Sequence, residues 1–273
     1  MIYSRFVFKG LSLAASGQLN AGCPVFFQHG LCGDSQQTAE VFPENSTFRR
    51  LTLECRGHGS SDVGNLTALS IETFADDVAA FISSAANRPA IVGGISMGAA
   101  IALRIAVRRP ELVSALILAR PAWTVFSAPV AMRAHAFIGE LLSKRVAEEA
   151  RREFDRSEYA QRLALDAPDN LASLHRLFER KPRAVTSALL TAIAADGPQV
   201  EWSEVERIAV PVLVIGHDRD IIHPLSYATD LAVRIPGAVL VHVTAKANDR
   251  RCYVADFRAA LSGFLDVCTA YQS

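Results

Sequence analysis

The sequence predicts an α/β fold, a mainly parallel sheet with helices on both faces, interrupted once by a long helical segment. Short continuous apolar runs such as "PVFFQ" (24–28), "AIVGG" (90–94), "LVSALILA" (112–119) and "VPVLVIG" (210–216) end in polar or glycine-rich loops. They alternate with stretches whose apolar residues recur at helical spacing. Strands that are apolar on both faces belong to a sheet covered on both sides. The third observation is that the alternation stops at Pro121 and resumes near Arg207.

Each element follows from local pattern. "RFVFKGLSLAASG" (5–17) reads as two strands around a turn at Lys9-Gly10, an antiparallel start. After "PVFFQ" comes a further apolar run, "RLTLEC" (50–55). "ETFADDVAAFISSA" (72–85) places Phe74, Val78, Phe81 and Ile82 on one helical face behind Ser70 as N-cap. "SMGAAIALRIAVRR" (96–109) is a helix closed by Pro110. Between 121 and 207 only helical patterns appear, among them "AMRAHAFIGELLSKRVAEEARREF" and "AVTSALLTAIAA". Strand and helix then alternate again through "PLSYATDLAVRI", "AVLVHVT" (238–244) and "YVADFRAALSGFLDVC". The implied organisation is a core domain, 1–120 with 208–273, carrying a helical lid at 121–207.

Bulk properties narrow the partners. With 273 residues, half of them hydrophobic, the chain has ample material for a core. Its 28 basic and 28 acidic side chains cancel, so no overall field recruits nucleic acid or an anionic membrane. A small-molecule partner fits better. Five cysteines without C-x-x-C pairing read as reduced thiols of a cytoplasmic protein, with no metal site and no cofactor implied. "LNAGC" (19–23) has the look of a leader cleavage site, but Asn20, Lys9 and Gly10 break the apolar run that a leader needs. No stretch approaches the roughly 20 apolar residues of a membrane span.

The chemistry concentrates at strand ends. Gly94-Ile95-Ser96-Met97-Gly98 is a G-x-S-x-G set between a buried strand and an amphipathic helix. Such a sharp turn lifts the serine hydroxyl above the sheet at a helix N-terminus. "FFQHGLCGD" (26–34) places His29-Gly30 after another strand, so the N–H of Leu31, with that of Met97, can form a two-donor oxyanion hole. "ECRGHGSSD" (54–62) is a third glycine-rich loop.

With "HGLCGD", "RGHGSS", "GISMG" and "PVLVIGHDRDIIHP" in this order and spacing, the chain resembles the α/β-hydrolase fold family. The resemblance covers nearly everything outside 121–207, and the chain looks most like the branch of esterases, enol-lactonases and haloperoxidase-like enzymes. It implies Ser96 as nucleophile and Asp220 as the acid, with Asp218 a rival. The alternative acid position after "ALILA" holds Arg120-Pro121-Ala122, which has no carboxylate.

One part of the family pattern is missing. The triad histidine belongs on the loop after the last strand, and that loop reads Ala245, Lys246, Ala247, Asn248, Asp249. Of the seven histidines, His29 and His58 fit backbone bracing, His135 and His175 lie on lid helices, His217 is expected to face outward, and His242 to pack against a sheet face. His223, three residues after Asp220 on the acid's own loop, is the best candidate base. Lys246 could serve only with a strongly depressed pKa.

These residues point to a serine hydrolase of a small, largely apolar carboxylic ester, thioester or lactone. Ser96, Asp220 and His223 would be catalytic, Leu31 and Met97 would hold the oxyanion, and Trp123 would help form an apolar pocket. Two alternatives stay open: a hydrolase scaffold that has lost turnover and binds a ligand or partner, and a lyase that uses the oxyanion donors without an acyl-enzyme.

Overall fold

A computed structural model of the chain describes residues 2–17, 22–44 and 47–270; Asn20 lies outside them. The chain begins with the hairpin β1 (Ile2–Phe8) and β2 (Leu11–Gly17), turned by Lys9 and Gly10 at positive φ. It continues through β3 (Cys23–Gln28), α1 (Ser35–Val41), β4 (Phe48–Leu53) and α2 (Ile71–Ala85). Next come β5 (Ala90–Ile95), α3 (Met97–Arg108) and β6 (Val113–Ala119).

From β6 to the next strand the described chain is helical. This segment holds α4 (Arg133–Lys144), α5 (Ala147–Asp155), α6 (Glu158–Asp166), α7 (Pro168–His175), α8 (Arg183–Ala195) and α9 (Trp202–Val205). The sheet is completed by β7 (Val212–Gly216), α10 (Leu225–Arg234), β8 (Val239–His242) and α11 (Arg250–Ala270).

The strand order is β1-β2-β4-β3-β5-β6-β7-β8. Pairing is antiparallel through β2–β4 and parallel from β4 to β8. Alternate side chains of each buried strand feed two cores. Phe26, Val92, Leu116 and Leu118 join α2 and α3 on one face, while Phe27, Ile91 and Ile117 meet Phe257 and Leu261 of α11 on the other. A third cluster, with Ile138, Phe154, Leu174 and Leu190, holds the helical segment together. As its spacing predicts, α2 buries Phe74, Val78, Phe81 and Ile82, and Ser70 caps it by accepting from the Thr73 N–H at 3.0 Å.

Some details differ from the sequence-based expectation. β4 starts two residues earlier, because buried Phe48 already pairs with Cys23. It ends before Glu54, whose carboxylate is used by the neighbouring loop. His242 does not pack on a sheet face: β8 is a four-residue edge strand, and His242 is exposed on it. Trp123 is only 1% exposed and sits within the main core, with its indole N–H donating to the Asp196 carbonyl. Among the described residues no helix is long and apolar enough to cross a membrane.

Candidate active site

Strand register brings the functional loops into one row. Ile95 of β5 pairs with Ala119 of β6, which pairs with Ile215 of β7. The row continues one residue further: Ser96 N–H donates to Ala119 O at 2.9 Å, Arg120 N–H to Ile215 O at 2.7 Å, and Val243 N–H to Gly216 O at 3.0 Å. Ser96, Arg120 and the loop after β7 therefore leave the same edge of the sheet. About 10 Å, two strand spacings, separates the first from the last.

Ser96 occupies a strained turn, with φ 58° and ψ −111°. Only glycine fits two positions to either side of it. A Cβ on Gly94 would lie 2.5 Å from the Gly98 backbone, and one on Gly98 2.4 Å from the Gln28 carbonyl oxygen. Gly30 lies against Ser96: a Cβ there would stand 3.4 Å from the Ser96 Cβ. Neither the Leu31 nor the Met97 N–H has a hydrogen-bond acceptor among the described residues.

The loops behind Ser96 are braced by buried polar groups. His29 Nε2 accepts from Cys55 N–H at 3.0 Å, and His58 Nε2 accepts from Cys32 N–H at 2.9 Å. Both imidazoles are driven below their usual pKa, first by burial. They are neutral braces rather than bases. The buried carboxylate of Glu54 accepts from Ser35 Oγ at 2.9 Å and from Ser60 N–H at 2.7 Å, tying α1 to the loop after β4.

Asp220 is buried, whereas its rival Asp218 is exposed. The Asp220 carboxylate lies 2.9 and 3.0 Å from His223 Nδ1, and it also accepts the His223 backbone N–H at 3.0 Å. No described residue bonds to His223 Nε2, and none joins an imidazole to Ser96 Oγ. The structure thus brings Asp220 and His223 together but leaves Ser96 outside their hydrogen bonds.

Two neighbours of Asp220 were missed in the sequence. Arg120, at φ 45°, donates to Asp220 Oδ2 from Nε at 3.0 Å and from Nη2 at 2.5 Å. Its other terminal nitrogen, Nη1, reaches the Tyr253 hydroxyl at 3.4 Å. His217 was expected to face outward but is buried against Tyr253, its Nε2 3.4 Å from Asp220 Oδ2. That approach is misaligned and makes no hydrogen bond. The reason for the burial is α11, which covers the loop with Tyr253.

The acid loop is pinned from two further directions. Asn170 of α7 accepts the Ile221 N–H at 2.9 Å, and Arg219 donates to Asn248 at 2.8 Å across to the loop after β8. No sequence signal marked Asn170.

Electrostatics follow from this packing. Burial alone raises the Asp220 pKa, but the Arg120 charge and then the His223 contact outweigh it and hold it well below the usual carboxylate range. Burial also lowers His223 below 6.5; Asp220 opposes this and Arg120 adds to it. His135, on α4 close to His223, is pushed to about 3 by burial. Lys246 is half-buried, and burial, then the charges of Arg120, Arg176 and Arg250, lower its pKa.

An apolar cavity of about 350 Å³ is lined by Val130, Ala131, Leu163, Ile222, Pro224 and Tyr227; His223 and Ser96 are not among its walls. A larger groove of about 640 Å³ lies at the opposite end of β7 and β8, near Pro211, Val239 and Phe264. It is far from the Ser96 edge, so size alone does not mark the site.

Residues 23–246 match the family model described as serine aminopeptidase, S33. The chain belongs to the α/β-hydrolase family. It is 31% identical over 103 residues to the uncharacterized hydrolase YraK of Bacillus subtilis, a match spanning 37% of this chain and 38% of that relative. The fold is similar to that of the enol-lactonase from Burkholderia xenovorans LB400, with TM-score 0.72, 21% identity and coverage of 96% of this chain and 100% of the other. It is also similar to a thermophilic esterase from Thermogutta terrifontis, with TM-score 0.69, 19% identity and coverage of 100% and 98%. At these identities the likeness shows the shared fold.

Proposed function

We propose that this α/β-hydrolase-family chain is a serine hydrolase of small, largely apolar carboxylic esters, thioesters or lactones. The observation that carries this reading is the Asp220–His223 pair at 2.9 Å, on the same sheet edge as the strained Ser96 turn. With Nδ1 engaged by the carboxylate, Nε2 is the nitrogen left to take the Ser96 proton. Apo hydrogen bonds between nucleophile and base are often loose and tighten with substrate. Ser96 Oγ attacks the carbonyl carbon, His223 takes its proton, and Leu31 and Met97 N–H groups receive the charge on the carbonyl oxygen. His223 then returns the proton to the leaving group, and water repeats the sequence on the acyl-enzyme. The segment 121–207 acts as a lid whose apolar side chains receive the substrate's apolar part. Family likeness and the relatives named as enol-lactonase and esterase agree with this substrate class.

The test is hydrolysis of p-nitrophenyl acetate, p-nitrophenyl butyrate and simple lactones by wild type, Ser96→Ala and His223→Asn. The reading expects modest wild-type turnover, abolished in Ser96→Ala and about 10²–10⁴-fold lower in His223→Asn. Turnover that persists in Ser96→Ala contradicts it. A second reading draws on the missing Ser96–imidazole hydrogen bond: the serine and oxyanion donors polarise a carbonyl without acylation. It predicts substrate conversion with no acyl-enzyme.

A further inference from the structure

Three atoms of two charged groups crowd one ring nitrogen. His223 Nδ1 has Asp220 Oδ1 at 3.0 Å, Asp220 Oδ2 at 2.9 Å and Arg120 Nη2 at 3.1 Å. A neutral imidazole carries a single ring proton, an ionised carboxylate only accepts, and a guanidinium only donates. The two contacts therefore demand opposite tautomers. A bond from Arg120 would need a lone pair on Nδ1 and put the proton on Nε2, where it would block acceptance from Ser96.

Arg120 itself resolves the conflict. Its Nε and Nη2 both donate to Asp220 Oδ2, at 3.0 and 2.5 Å, so the carboxylate stays ionised and acceptor-only. Resting on the hydrolase reading above, we infer that Arg120 is a positioning residue for the base: by holding Asp220 ionised and acceptor-only it commits the ring proton of His223 to Nδ1 and leaves the lone pair at Nε2. The residue stands at the strand end that otherwise offers no acid, and its backbone is locked into the row between Ser96 and the acid loop.

The arrangement has a second consequence. With Nδ1 protonated, the 3.1 Å approach of Arg120 Nη2 sets two donors against each other, and the repulsion grows if the ring becomes imidazolium. The groups facing His223 are Asp220 on its own loop, Arg120 after β6, His217 after β7 and His135 from α4; Tyr253 of α11 and Lys246 reach it only through Arg120. His217 and His135 have depressed pKa values and are neutral near pH 7. Burial lowers the His223 pKa most; of the charged neighbours Asp220 raises it and Arg120 lowers it.

Long-range ¹H–¹⁵N spectra of the histidine side chains test this without reference to activity. They would be recorded against pH for wild type, Arg120→Met and Arg120→Lys, with His223 assigned by loss of its signals in His223→Asn. The inference expects the Nδ1–H tautomer in wild type and a midpoint below 6.5. In Arg120→Met the midpoint rises by about one unit or more, a tenfold gain in proton affinity, and the acid limb of kcat/KM moves with it. Arg120→Lys, which keeps the charge, shifts by less than half as much. An Nε2–H tautomer in wild type overturns the inference, as does a midpoint that Arg120→Met leaves in place. Should Arg120→Met fail to fold, the wild-type tautomer and the Arg120→Lys midpoint decide alone. An Nδ1–H wild type that turns over no ester upholds Arg120 and overturns the hydrolase reading instead.

Discussion

Arg120 and Asp220 are a hundred residues apart in sequence and form one ion pair, Nη2 to Oδ2 at 2.5 Å, with 10% and 1% of their side chains exposed. The pair joins the end of β6 to the acid loop. Removing one member of a buried pair strands the other, typically at 3–5 kcal/mol. Asp220→Ala should therefore lose about 3–5 kcal/mol of unfolding free energy in urea titration. The double variant Arg120→Met/Asp220→Leu should recover part of that loss. A single variant within about 1 kcal/mol of wild type would mean that the guanidinium is not confined as described.

Acid should destabilise the protein earlier than carboxylate titration alone requires. His135 has a folded pKa of about 3 against 6.5 when exposed, so the unfolded chain takes up its proton first as pH falls. Its contribution is complete above pH 6.5 and is lost down to about pH 3, on the order of 5 kcal/mol across the window. His29 and His58, also depressed by burial, add in the same direction. Urea midpoints measured from pH 7 to pH 4 should fall, and His135→Leu should flatten the decline. A stability flat from pH 7 to 4 would contradict the burial of these rings.

The turn at Ser96 should tolerate no side chain at its flanks. Gly94→Ala and Gly98→Ala each drive a methyl to within 2.5 Å of backbone atoms, which cannot swing aside. Each should lose at least about 3 kcal/mol or fail to accumulate as folded protein. Normal melting of Gly98→Ala would show that the turn is not built as described.

Thiol reactivity should separate the cysteines. Cys252 is exposed, whereas Cys32, half-buried on the loop after β3, and Cys268 are pushed to about 11 by burial. Cys55, fully buried, is raised further still. In the native protein a disulfide reagent should reach exposed Cys252, whose thiol Asp249 holds above its usual pKa, before Cys32, Cys55 and Cys268, which should stay unreacted until denaturant is added. Rapid native labelling of Cys32 would argue for an open loop after β3.

The sheet and the serine turn were legible because both are written locally. Apolar runs between glycine-rich loops mark buried strands, and Gly94 and Gly98 mark a corner that no larger residue allows. Long-range partners were not. Arg120 occupies a position where the family pattern would place a carboxylate, and nothing in "LARPAW" tells which charge meets it across β7. His217 follows its strand as an outward residue would, and only Tyr253 on α11 makes that position interior. Asn170 had no signal, because an asparagine on a helix is ordinarily solvated until another loop's N–H groups reach it. His242 failed for the opposite reason: alternation with two valines implied a covered face, but β8 ends the sheet and leaves it in water. The short helix α1 has a single local mark, Asp34, an N-cap that accepts from Gln36 N–H at 2.9 Å.

The central claim is that Ser96 becomes a nucleophile served by His223. Intact-mass analysis after treatment with a serine-reactive fluorophosphonate tests it most directly, on wild type, Ser96→Ala and His223→Asn. The account predicts one adduct per wild-type chain, none on Ser96→Ala, and labelling at least about 10²-fold slower on His223→Asn. An unmodified wild type, or an adduct that forms equally on Ser96→Ala, would contradict it.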